Sequence, residues 1–223
     1  MPSPDSGAVG HPFPLTDLDR QILAQTDEEY QYHSWNELKE LIANNKLDAL
    51  KRKPSDLRRY INWTSKVKAK YSSITNYICL KRLHWPLDRD PATQCHNQTP
   101  FADPRDYKIL RNDWPYGVEP GIVHLCVWVK NYIPVKPETG ELTPESHAMI
   151  DVFVKKTFVE RLKKESIPNA EDRVIWFKNW TALQSVRALE HVHILLRDVP
   201  EQFIVEWTGE TAPVQDDVGG PVD

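Results

Sequence analysis

The chain has 223 residues, a formal net charge of −4 and three cysteines, Cys79, Cys95 and Cys126, widely spaced and with no CxxC pair. This excludes a disulfide framework or a zinc knuckle and points to a reducing, cytoplasmic setting. No stretch approaches the ~20 apolar residues of a membrane span. The opening MPSPDSGAVGHPFP has neither the basic nor the apolar region of a signal peptide, so the N-x-T sequons at Asn62, Asn97 and Asn179 are expected to be silent.

Residues 1–14 and 208–223, rich in Pro, Gly, Asp and Ser, are expected as disordered tails around a single domain over 15–207. Thr16 caps a short helix to about Gln25. Ser34 and Glu37 form an S-x-x-E box opening a helix to about Asn45, with Trp35, Leu38, Leu41 and Ile42 inward. Ser55 caps the next helix, with Leu57, Tyr60, Ile61, Thr64 and Val67 on one face. Residues 1–45 hold eight acidic and two basic residues, whereas 46–70 hold nine basic and two acidic, a local net of +7. Those cations, Lys46, Lys51, Arg52, Lys53, Arg58, Arg59, Lys66, Lys68 and Lys70, are either a solvated face or a footprint for a phosphate backbone.

A further helix runs from about Ser73 to Leu83, and the Pro-punctuated, polar stretch 86–106 reads as a long loop. Asn112–Gly117 (NDWPYG) is a tight turn, with Trp114-Pro115 a candidate cis peptide. Ile122–Lys130, Arg173–Lys178 and Glu190–Arg197 are β-rich runs. Thr143-Pro144 opens an amphipathic helix to about Lys164, with Met149, Ile150, Phe153, Val154, Phe158 and Leu162 inward. Helices first and antiparallel strands later give an α+β fold, N-terminal helices packed with a small, mainly antiparallel sheet.

His191 and His193, two apart on a strand, share a face, and His124 can join them as metal ligands, a general base or hydrogen-bonding groups. Asp198 and Glu201 follow the strand; they suit a cation, a base or a guanidinium clamp, or Glu201 simply opens a Pro-initiated helix. Trp114 and Tyr116 suit stacking, and Lys178 and Arg187 suit phosphate or ribose. Ser185 lacks a G-x-S-x-G elbow and, like Ser72-Ser73, is a possible nucleophile. With no P-loop, G-x-G-x-x-G, HExxH or EF-hand loop, no cofactor and no metal are expected.

Taken together, PSDLRRYINWT (54–64), YSSITNYI (71–78), NDWPYG (112–117), GIVHLCVW (121–128) and WFKNWTALQSVRALEHVHILLRDVP (176–200) resemble the fungal N-acetylglucosamine-induced protein family, over residues 13–205. Some members are similar to arginine-containing cyclodipeptide synthases, which make cyclo(Arg-Xaa) from arginyl-tRNA and a second aminoacyl-tRNA. The resemblance implies such a synthase of fungal secondary metabolism with two charged tRNAs as partners. Glu201, Asp198, His191 and His193 would be catalytic. Asp113, Trp114, Tyr116, Trp128, Lys178, Ser185, Arg187 and Glu190 would contact substrate. Lys51, Arg52, Lys53, Arg58, Arg59, Lys66, Lys68 and Lys70 would meet tRNA. The synthase branch carries D-D-x-x-E. Here Arg197 stands at its first acidic position, before Asp198 and Glu201. A non-catalytic relative that binds a nucleotide sugar is the alternative, and a hydrolase with metal on His124, His191 and His193 a third reading.

Overall fold

The computed structural model describes residues 12–87 and 91–211. Strands β1 (Tyr107–Arg111), β2 (Ile122–Val129), β3 (Val174–Phe177) and β4 (Glu190–Arg197) form one antiparallel sheet in the order β1-β2-β4-β3. Central β2 and β4 are apolar at both parities because helices cover both sheet faces. On one face Leu110, Cys126 and Trp128 meet α1 (Asp17–Leu23), α3 (Pro54–Tyr71) and α4 (Ile74–Tyr77), while Leu195 and Phe177 meet α2 (Trp35–Ala43). On the other, Leu125, Val127, Val192, Ile194 and Leu196 pack against α5 (Pro144–Val154), its π-helical continuation Lys155–Val159, and α7 (Glu201–Thr208). A short α6 (Glu160–Lys164) ends the α5 arm, with Leu162 in the same core. The fold is α+β, as expected.

Local chemistry explains the helix boundaries. Thr16 caps α1 with a full capping box. Ser34 Oγ accepts from Glu37 N on α2, but the Glu37 carboxylate turns to His33 Nδ1 at 2.9 Å, so half of the box forms. Ser55 does not cap α3. Pro54 takes the first helical position, where its missing N–H costs nothing, and the Ser55 hydroxyl donates to Asp27 Oδ2 at 2.6 Å. Trp63 joins the predicted buried face of α3. After Tyr77 the α4 helix widens into a π-helical turn, Ile78–Leu83, which turns Arg82 inward to 5% exposure.

The sequence reading missed β1, which is only five residues long and carries Lys108 and Arg111 among its apolar positions. The preceding loop is anchored by Asp106, a fully buried carboxylate that accepts from the amides of His96 and Asn97. Burial pushes its carboxyl up, but those amide bonds and Lys130 outweigh this and hold it below the usual range. No cis peptide occurs among the described residues, so Trp114-Pro115 is trans. The expected tails are tied down at their inner ends. Lys68 Nζ donates to Pro12 O at 2.7 Å, Phe13 packs on Tyr60, and Glu210 pairs with Arg82. Residues 1–11 and 212–223 lie outside the described residues. Among the described residues, no helix is long and apolar enough to cross a membrane.

Candidate functional site

Between α3–α4 and the sheet lies a cavity of about 590 Å³ of empty volume, its open mouth included. Its walls are Trp63, Trp114 and Trp128; its polar lining includes Arg52, Arg82, Asp113, His191 and His193, with the exposed Ser185 at its edge. A second cleft of about 890 Å³, again counted with open solvent, shares Arg111, Asn112 and Asp113 with the first and adds Lys53, Tyr116 and His124. The register of β2 and β4 explains the convergence. Cys126 faces His193 and Trp128 faces His191, so all four side chains emerge on the face covered by α3 and α4.

The polar groups form a connected, uncharged cluster. His124 Nε2 lies 2.9 Å from His193 Nδ1. The Tyr116 N–H faces His124 Nδ1 at 3.4 Å, and the Asn112 amide nitrogen lies across the same ring, 3.1 Å from Nε2 and 3.3 Å from Nδ1. The backbone N–H at Nδ1 makes that nitrogen the acceptor, so Nε2 carries the proton and donates to His193. His193 Nε2 then faces the Asn179 amide at 3.4 Å, whose Oδ1 otherwise lacks a partner. Aromatic rings hold the imidazoles in place, Phe177 stacking on His193 at 4.7 Å and Trp128 on His191 at 4.7 Å. Burial keeps all three neutral. It pushes His124 down to about 3 and His191 to about 4, and His193 well below its ordinary value; the Arg52 charge adds to the effect at His124 and His193.

His124, Cys126 and His193 offer ligand atoms within 4.8 Å of one another. A metal on His124 Nε2 would leave a proton on Nδ1, facing the Tyr116 N–H, whereas metal-bound imidazoles place that N–H on an acceptor. The donor at Nδ1 favours an imidazole pair over a metal centre at this cluster. His191, predicted as a third ligand, accordingly turns Nδ1 to Leu189 O at 2.9 Å.

The remaining predicted residues lie elsewhere. Glu201 opens α7 and pairs with Arg111. Asp198 sits in a left-handed turn (φ 50), exposed, with its amide on Gly121 O at 2.8 Å. Arg197 is bound to Asp172 and stacks on Trp35. Neither carboxylate of the Asp198–Glu201 segment lines the cavity, because the chain turns away at the end of β4. Lys178 and Glu190 form a largely buried ion pair at 3.0 Å, and Arg187 is exposed. The basic segment also divides. Arg52 and Lys53 reach the two clefts, Lys51 lies over Tyr30, Arg58 binds the carbonyls of Leu23 and Gln25, and Arg59 pairs with Asp56. Lys66, Lys68 and Lys70 are exposed on the last turns of α3.

The sequence reading overlooked Arg82. Its guanidinium is clamped by Asp113 (2.8 Å) and Glu210 (2.6 Å), and despite burial these carboxylates raise its proton affinity. A basic residue beside Leu83 on a helical stretch carried no distinguishing signal.

The family described as "Protein of unknown function (DUF3605)" matches residues 34–197. The chain belongs to this family. The DUF3605 stretch contains every residue that lines the first cavity and stops short of Asp198 and Glu201. Among relatives, N-acetylglucosamine-induced protein 1 of Candida albicans is 30% identical over 78% of this chain and 71% of its own length. The uncharacterized protein YPL067C of Saccharomyces cerevisiae is 29% identical, over 87% of this chain and 93% of its own. A solved structure titled "Crystal Structure of HTC1" superposes with a TM-score of 0.59 at 29% identity, covering 77% of this chain and 88% of that one. The resemblance to the N-acetylglucosamine-induced family is thus borne out at the level of the family.

Proposed function

We propose that this DUF3605 chain is a tRNA-dependent cyclodipeptide synthase that condenses arginine from arginyl-tRNA with a second aminoacyl group, the cavity holding the aminoacyl end. One observation supports the reading above others. Asp113, Trp114, Trp128, Ser185, His191 and His193, singled out in sequence from separate segments, converge on one aromatic cavity beneath α3 and α4. The 18 residues of α3 span about 27 Å, Tyr60 and Trp63 at its middle line the cavity, and its last turns carry the exposed Lys66, Lys68 and Lys70. An acceptor stem lying along α3 would reach the cavity with its 3′ end.

An aminoacyl ester is already activated, so the reaction needs positioning and proton transfer rather than ATP. In each step the α-amine of one residue attacks the ester carbonyl of the other. The amide C–N bond forms, the ester C–O bond breaks, and the tRNA hydroxyl leaves with the proton. His193, neutral and joined to His124, is the cavity group suited to pass that proton. Glu201 contributes indirectly, by holding Arg111 at the junction of the two clefts.

Expression in a bacterial host, which supplies charged tRNAs, should yield cyclo(Arg-Xaa) in the medium by mass spectrometry. Soluble protein without any arginine diketopiperazine would sink the reading. A specific observation favours a second one, a non-catalytic N-acetylglucosamine-responsive protein that binds a nucleotide sugar. Arg197 and Glu201 are both engaged in ion pairs, with Asp172 and Arg111, and leave no acidic pair free to act. Thermal stabilisation by uridine diphosphate N-acetylglucosamine, together with absence of product, would select it.

A further inference from the structure

Of the three arginines at the cavity, two are neutralised, Arg82 by Asp113 and Glu210 and Arg111 by Glu201. Arg52 has no carboxylate within ion-pair distance among the described residues. Its Nε donates to Trp114 O at 3.1 Å, and its guanidinium lies over Tyr60 at 4.3 Å and against Tyr116 at 5.4 Å. The tyrosines cover its faces and leave its in-plane N–H groups at the edge. Beside it Trp114, 6% exposed, lines the same cavity, and its Nε1–H has no acceptor. A partly buried cation with no carboxylate in ion-pair distance and a buried donor with no acceptor are each groups that an anionic oxygen satisfies.

We propose that Arg52 and Trp114 form a subsite for the phosphate ester of a nucleotide, whose base rests on the tryptophan walls. The chemistry narrows the anion. An aminoacyl ester has no free α-carboxylate, so unless Xaa is itself acidic the charge it brings is a phosphodiester of the tRNA 3′ end; a nucleotide sugar brings a diphosphate. The inference rests on the reading that this cavity holds the ligand, and it holds for either source.

Trp63, Trp114 and Trp128 make intrinsic fluorescence the readout. The probes are the trinucleotide CCA, uridine diphosphate N-acetylglucosamine and inorganic pyrophosphate. Saturable quenching by at least one is expected, weakened about tenfold or more in Arg52→Met and partly kept in Arg52→Lys. Trp114→Phe keeps a ring and removes the donor, so it tests the subsite should Arg52→Met fail to fold. Tighter binding of CCA assigns the subsite to tRNA; tighter binding of the nucleotide sugar assigns it to that ligand. No saturable response to any probe, or equal affinity in wild type, Arg52→Met and Trp114→Phe, overturns the subsite. Binding by a chain that makes no diketopiperazine overturns the synthase and keeps the subsite; unimpaired product formation by Arg52→Met does the reverse.

Discussion

His124, His191 and His193 are neutral in the folded chain because a charged imidazole cannot be solvated where they sit. Their folded pKa values lie below the ordinary 6.5, so the sign of the pH effect is fixed. Above pH 6.5 neither folded nor unfolded chain is protonated there. As pH falls below it, the unfolded chain takes up protons that the folded chain refuses. Each of the three should then remove about 1.4 kcal/mol of stability per pH unit, read as a falling urea midpoint between about pH 6 and 5. His191→Phe, which keeps the stack on Trp128, should flatten part of that slope. A midpoint constant from pH 7 to 5 would mean that the imidazoles are solvated. Arg82 makes the opposite kind of case. Arg82→Met removes the buried cation that joins Asp113 and Glu210, and should cost about 3–5 kcal/mol in chemical denaturation. Arg82 shows where residue-level reading stops. Its type is visible in sequence, but the partner carboxylates lie 31 and 128 residues away along the chain.

At the scale of elements, caps were legible where the capping side chain and its target amide are neighbours in sequence. Thr16, Ser34 and Thr143 all accept from the amide three residues on. Thr143→Ala should cost about 1 kcal/mol, measured by denaturant midpoint. Ser55 misled because Pro54 could itself begin the helix, and the tertiary partner Asp27 then claimed the hydroxyl. For α3 the prediction is functional. Lys66→Gln combined with Lys70→Gln should weaken charged-tRNA binding and reduce the log–log salt slope by about 1 for each phosphate that is no longer neutralised. Stability should change by less than about 0.5 kcal/mol, since both side chains are exposed. Unchanged tRNA affinity would place any nucleic-acid contact elsewhere.

At the scale of the whole molecule, the two-sided burial of β2 and β4 makes them the centre of stability. Leu125, Val127, Val192 and Ile194 are fully buried between the layers. Their amides should exchange with solvent only on global opening, and those of the Pro91–Gln94 turn in the long loop much sooner. Comparable protection across both regions in hydrogen exchange would contradict this.

What the sequence alone determined is what depends on near neighbours. The periodicity of α2, α3 and α5, most caps, the β runs at 122–130, 173–178 and 190–197, and the likeness to a fungal family were all readable along the chain. So was the shared face of His191 and His193, since strand alternation is a local rule. Only the tertiary structure decided the rest. It brought six predicted residues into one cavity, sent Asp198 and Glu201 away from it, and left Arg52 there without a carboxylate partner. The reason is physical: the register of β2 on β4 and the choice of ion-pair partners depend on contacts between distant segments. No local pattern encodes which carboxylate a buried arginine will meet.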